Sequence, residues 1–101
     1  MAEIDREMLL GLAERQVYRD IFNCVYSSSE KIHSEQLIKR TGLSSDATFK
    51  RARELSDAGV IMMYREGCES YVFSKMSGET AKVARAFEKM VRRIEKKKSG
   101  A

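Results

Sequence analysis

The stretch that most limits what this chain can become is "LIKRTGLSSDATFKRARELSDAGVI", residues 37 to 61. Gly42 and Gly59 punctuate it, and a glycine that enters the left-handed region ends a helix there. Between them a helix starts at Ser44 or Ser45. At about 100° per residue, Ala47, Thr48, Ala52, Leu55 and Ala58 share one side of it. The opposite side shows Asp46, Lys50, Arg53 and Asp57, with Phe49 at the boundary. The charges on this helix cancel, since Lys50, Arg51 and Arg53 face Asp46, Glu54 and Asp57. That average misleads. Glu54 lies away from the outward face and Asp57 at its far end, so Lys50 and Arg53 hold its middle.

The flanks extend the pattern. Residues 4 to 28 read as helix, with Gly11 as the candidate break; Val17, Ile21, Cys24 and Val25 fall on one face, widened by Leu12, Tyr18 and Phe22. "KIH" at 31 to 33 reads as a short strand. Ser34 is placed to cap the next helix, whose Leu37 and Ile38 point inward. After Gly59, "VIMMYRE" and "SYVFSK" are β-branched, aromatic and partly alternating, and "EGCE" between them makes a hairpin turn. Ser77 then caps a last helix running to Lys98. Its Val83, Phe87, Met90 and Ile94 recur at helical spacing, with Val91 beside them, as an a/d-like seam.

A chain of 101 residues suits one domain. Residues 1–12 read as an N-terminal extension, 13–76 as the core and 77–98 as a C-terminal helix. So small a unit gains from association. The final seam, joined by Met8, Leu9, Leu10 and Leu12, is therefore expected to pair with a second copy as a homodimer interface. No stretch approaches the ~20 apolar residues that span a bilayer. The start of the chain is acidic before its apolar run, unlike a secretory signal. A cytoplasmic protein away from the membrane is expected. Net charge is +4, and all of the basic excess lies after residue 43. The run "RRIEKKK" reads either as a solvated helix end, where cations are favourable, or as a second phosphate-binding patch. Cys24, His33 and Cys68 lack metal-ligand spacing, so no metal or other cofactor is expected. Cys24 reads as core and Cys68 as a hairpin-tip thiol open to oxidation or inter-chain bonding. No nucleophile motif or phosphate-binding glycine loop occurs, which argues against an enzyme.

The order helix, strand, helix, turn, helix, hairpin, helix makes a mainly α chain with a small β-hairpin. In that frame residues 37–61 resemble the winged helix-turn-helix of MarR-like and ArsR-like transcription regulators. Leu37 and Ile38 precede the turn glycine Gly42, Leu43 anchors the turn, Leu55 follows thirteen residues after Gly42, and "AGVI" leads into the first wing strand. The resemblance covers about residues 13 to 76. It implies a winged helix flanked by N- and C-terminal dimerisation helices, with helix 44–58 entering the major groove of double-stranded DNA and hairpin 60–76 as the wing. Ile38 and Arg51 depart from the small and apolar residues usual at their positions. Glu66 and Glu69 at the wing tip oppose phosphate contact.

DNA reading needs cations and helix starts on phosphates, and side chains on base edges. Ser34, Ser44 and Ser45 sit at helix starts. Lys50 and Arg53 are positioned to donate to guanine, and Phe49 to meet a thymine methyl or to pack in the core. Arg40, Arg51, Arg65 and Lys75 are the backbone candidates. Each cation has an alternative as a solvated surface charge, and Arg51 as a snorkelling side chain. Two other jobs fit the same fold: a protein-interaction module, favoured by the neutral helix and acidic wing tip, and an architectural or plasmid-partition DNA binder with little sequence preference. Ligand or redox sensing on top of DNA binding rests on Cys68 and on space between dimer helices.

Overall fold

In the computed structural model, which describes residues 4–28, 30–67 and 70–99, the N-terminal run folds as two helices. The first, α1, spans Arg6–Ala13, and its N-terminus is capped by Asp5, which accepts from the Met8 N–H at 3.0 Å. The second, α2, spans Gln16–Ser27. The break is not at Gly11, which lies inside α1 with open space around it. It comes at Arg15, whose backbone is extended (φ −94°, ψ 128°). The physical cause is Arg19, a buried cation that hydropathy patterning does not single out. Its Nη1 donates to the Ala13 carbonyl and its Nη2 to Gln16 Oε1, both at 2.8 Å. One guanidinium thus satisfies a carbonyl at the end of α1 and braces the start of α2.

Strand β1, Lys31–His33, leads directly into helix α3, Ser34–Thr41. His33, not Ser34, occupies the N-cap position, and Ser34 is buried in the first turn without a side-chain cap bond. Helix α4, Ser45–Asp57, follows the turn, and then the strands β2, Ile61–Glu66, and β3, Ser70–Lys75. Both hairpin strands fall where their alternation places them. The sheet is antiparallel in the order β1-β3-β2, with Ile32 and Met63 both opposite Phe73. β1 therefore closes the wing as a third strand.

The last helix does not start at Ser77. A 3-10 turn, Gly78–Ala81, comes first, and Ser77 makes no side-chain cap; Thr80 instead donates its hydroxyl to the Ser77 carbonyl at 2.5 Å. Helix α5 then runs Lys82–Ser99. Its seam divides. Phe87 and Val91 are 0% and 1% exposed in the core of their own chain, as is Leu9 of α1 at 0%. These three are not open to a second copy, because α1 folds back on α5 and occupies that apolar face. Leu12, Val83, Met90 and Ile94 remain half-buried at the edge, and Met8 is exposed.

Aromatic rings tie the layers together. Phe22 of α2 stacks on Tyr26 at 4.3 Å and meets Phe87 of α5 edge-on at 5.0 Å. Tyr26 also holds the base of the wing. Its hydroxyl donates to the Val60 carbonyl at 2.7 Å and accepts from the Met76 N–H at 3.2 Å. Both strands of the hairpin are thus anchored to α2 through one phenol. Replacing Phe87 by Ala removes a buried ring and leaves a cavity, so Phe87→Ala is expected to cost ~3–5 kcal/mol in urea denaturation. A loss below ~1 kcal/mol would place the ring outside the core.

Candidate nucleic-acid interface

The geometry of α3, the turn and α4 follows from a few local bonds. Gly42 takes φ 71°, and its N–H returns to the Ile38 carbonyl at 3.0 Å, ending α3. The Thr41 hydroxyl donates to the Leu37 carbonyl at 2.9 Å and tightens the same turn. Ser44 is the N-cap of α4: its Oγ accepts from the Ala47 N–H at 3.1 Å, while its carbonyl accepts from the Thr48 hydroxyl at 2.9 Å. The inner face is Thr48, Ala52 and Leu55, all buried. Gly59 (φ 83°) then turns the chain into β2.

The buried face of Thr48, Ala52 and Leu55 sets the rotation of α4 about its axis, and Tyr18 of α2 braces it. The ring is 1% exposed. Its hydroxyl donates to Glu54 Oε2 and accepts from Arg51 Nη1 at 3.2 Å. Arg51 also pairs with Glu54 at 3.1 Å. The Arg15 and Arg51 guanidinium carbons stand 5.1 Å and 5.8 Å from the centre of the Tyr18 ring, within cation–π range. The hydrogen bond from Tyr18, with Arg51 nearby, holds the Glu54 carboxyl below its ordinary range. Burial, then the bond to Glu54, pushes the Tyr18 phenol up. Arg51 thus snorkels as its position suggests: its stem is partly buried and its charge reaches a carboxylate, Glu54, within the chain.

Arg51 and Glu54 are bonded to Tyr18 and to each other, while Lys50 and Arg53 are exposed on the outer side of α4 beside Asp46 and Asp57. Neither Lys50 nor Arg53 forms an ion pair among the described residues. Ser45 is exposed at the start of the same helix, and Arg40 in the last turn of α3. Between α4 and the wing lies a groove of about 510 Å³, lined by Phe49, Lys50, Arg53, Glu54, Asp57, Met63 and Tyr71. Phe49 packs beneath the wing, edge-on to Tyr71 at 5.5 Å and tilted against Phe73 at 6.4 Å. Its ring makes the packing contact foreseen for it and still lines the groove, half-buried. Arg65 lies over the Tyr71 ring at 5.4 Å, on the same side of the wing.

Other expected contacts lie elsewhere. Ser34 is buried, and the Ser44 hydroxyl already accepts a helix N–H. Lys75, at the base of the wing, borders a separate cavity of about 440 Å³ with Phe22, Asn23, Tyr26 and residues of α5. It is not grouped with Arg65. Glu66 pairs with Lys31, which offsets part of the negative charge at the wing tip; that bond pulls the Glu66 carboxyl down and the Lys31 ammonium up. Cys68 and Glu69 lie outside the described residues. Cys24 is half-buried, and burial raises its thiol. Among the described residues no group of three His, Cys, Asp or Glu side chains could hold a metal ion, and no helix is long and apolar enough to cross a membrane. The Tyr18 and Tyr26 tethers escape patterning, which sees both as apolar bulk.

Since the Glu54 carboxyl titrates lower in the folded chain, its bond to Tyr18 stabilises the fold fully at neutral pH, above the unfolded carboxylate range. That stability is lost as pH falls through the depressed folded value. Glu54→Gln is expected to cost about 1 kcal/mol at pH 7, the size of one charged, partly solvated hydrogen bond. The gap to the parent chain should close on acidification below about pH 4. A gap that stays constant in urea titrations from neutral to acid would contradict the bond.

No protein-family model matches the sequence, and no curated protein matches it. Solved structures do match in shape. A transcriptional regulator of the MarR family from Rhodococcus sp. RHA1 superimposes with a TM-score of 0.64 at 12% identity, over 90% of this chain and 70% of that one. NadR, in complex with 4-hydroxyphenylacetate, superimposes with a TM-score of 0.66 at 9% identity, over 94% of this chain and 66% of NadR. The α3–turn–α4 unit, the three-stranded wing and the flanking helices together make a winged helix of the MarR-like fold.

Proposed function

We propose that this chain is one winged-helix unit of a homodimer that binds double-stranded DNA with sequence preference and regulates transcription. α4 enters the major groove and the β2–β3 hairpin lies alongside. The observation that carries this reading is the outer side of α4, where Lys50 and Arg53 are exposed without ion pairs among the described residues, while the Glu54 carboxylate beside them is engaged by Arg51 and Tyr18. Lys50 and Arg53 read base edges. Ser45 and the N-terminus of α4, with Arg40 and Arg65, hold the phosphates. The MarR-like fold supports the assignment by analogy. In the dimer, Met8, Leu12, Val83, Met90 and Ile94 supply the apolar contact that the α1–α5 pairing leaves uncovered, and two-fold symmetry calls for a pseudo-palindromic site.

A second reading has its own observation. The groove beside α4 presents Met63, Phe49 and Tyr71 along one wall, and Met62 and Tyr64 are exposed on the edge strand β2. Those features suit a protein-interaction module. Gel shifts over a salt series separate the possibilities. A regulator discriminates a selected duplex from random DNA, an architectural protein shifts both alike, and an interaction module shifts neither. Lys50→Ala and Arg53→Ala are each expected to weaken binding to the selected duplex by ~1–3 kcal/mol. Undiminished binding in both variants would reject this orientation of α4.

A further inference from the structure

The strongest charge feature of the chain lies outside the surface just described. Between Lys82 and Ser99, α5 carries eight Lys and Arg against two Glu, so it holds +6 while the rest of the chain, for a total of +4, holds −2. Its inner side, Ala84, Phe87 and Val91, is buried. Lys82, Arg85, Lys89 and Arg93 share the opposite side, and all four are exposed. None of them forms an ion pair among the described residues; Arg92 does, with Glu88 at 3.2 Å. These four cations and Arg6 of α1 line one cleft of about 370 Å³ whose lining holds no carboxylate.

We propose that this outer side of α5 is a second nucleic-acid site, one that grips the phosphate backbone of a duplex without reading bases. It rests on the DNA reading above for the identity of its polyanion. From Lys82 to Arg93 the cations run along roughly 16 Å of helix at 1.5 Å per residue. That line of charge suits a polyanion whose charges are themselves strung along a backbone, as the phosphates of a duplex are. A small anion would need the cations to converge, and these are strung in a line. A protein interface would need an apolar or aromatic centre and is depleted in Lys; here Ile4, Ala86 and Met90 line the cleft as well, but its exposed side chains on α5 are the four cations and no aromatic residue lines it. A lipid surface would need the apolar side of the helix for insertion, and that side is already buried against α2. No residue lines both this cleft and the α4–wing groove, so one protomer has two separate faces for DNA.

The test uses the full chain and fluorescence anisotropy with a random duplex over a salt series. The quadruple variant Lys82→Gln, Arg85→Gln, Lys89→Gln, Arg93→Gln changes exposed positions only, and circular dichroism confirms its fold. Each phosphate that the variant no longer neutralises lowers the log–log salt slope by about 0.9, so its slope should fall by about 3–4. Its preference for a selected duplex over random DNA should persist, whereas Lys50→Ala with Arg53→Ala should abolish that preference and keep most of the slope. An unchanged slope in the quadruple variant, with the parent chain binding the duplex, overturns the α5 site and leaves the α4 reading standing. A parent chain that binds no duplex at low salt overturns both. Capture of polyglutamate or of anionic vesicles in place of the duplex, abolished by the quadruple variant, overturns the nucleic-acid assignment and gives the same cations to an acidic protein or a lipid surface.

Discussion

The hydroxyl of Tyr18 is the contact on which the arrangement of α4 depends. It is buried between α2 and α4, and it takes both Glu54 and Arg51 as partners. A buried phenol without a partner would be costly, so these bonds reinforce the rotation that buries Thr48, Ala52 and Leu55. That rotation fixes everything on the other side of the helix. Lys50 and Arg53 are turned out, and Phe49 is turned under the wing onto Tyr71 and Phe73. Within the helix one Arg–Glu pair is engaged with α2, and the outer side carries Lys50 and Arg53 together with Asp46 and Asp57.

The wing is held by the same logic from the same helix. Tyr26, two turns beyond Tyr18, ties the entry of β2 and the exit of β3 to α2 through its hydroxyl. One face of α2 thus positions both α4 and the hairpin. Phe22, on the same row and stacked on Tyr26, reaches Phe87 of α5. The scaffold that sets the α4–wing surface is continuous with the scaffold that presents the cations of α5. The pairing of α1 with α5 completes that scaffold within one chain and takes Leu9, Phe87 and Val91 out of any interface between copies.

What the sequence made legible was local. Gly42 and Gly59 mark their turns because left-handed backbone is a property of single residues, and the strands 31–33, 61–66 and 70–75 follow from alternation over a few positions. Ser44 caps α4 for the same short-range reason. What escaped were bonds between residues far apart. Arg51 meets Tyr18 across 33 positions and Glu54 meets it across 36, so no window along the chain shows that Arg51 has a partner. Arg19 looks like any helix cation until the corner it braces is seen in three dimensions. The α5 seam had the correct apolar period but gave no sign of which helix would cover it. Among the site candidates, Lys50, Arg53 and Lys75 stay on the surface, while Ser34, Phe49 and Arg51 are placed by packing that periodicity does not encode.

The direct test of this orientation is photocrosslinking from single positions of α4. A photoreactive side chain is placed at 50, 51, 53 or 54 in turn, and each protein is irradiated with a bound duplex. Crosslinks to DNA are expected from positions 50 and 53, with little from 51 and 54, because Tyr18 draws Arg51 and Glu54 toward α2. Crosslinks chiefly from 51 and 54, with none from 50 and 53, would contradict the rotation of α4 and the assignment of its outer face to DNA.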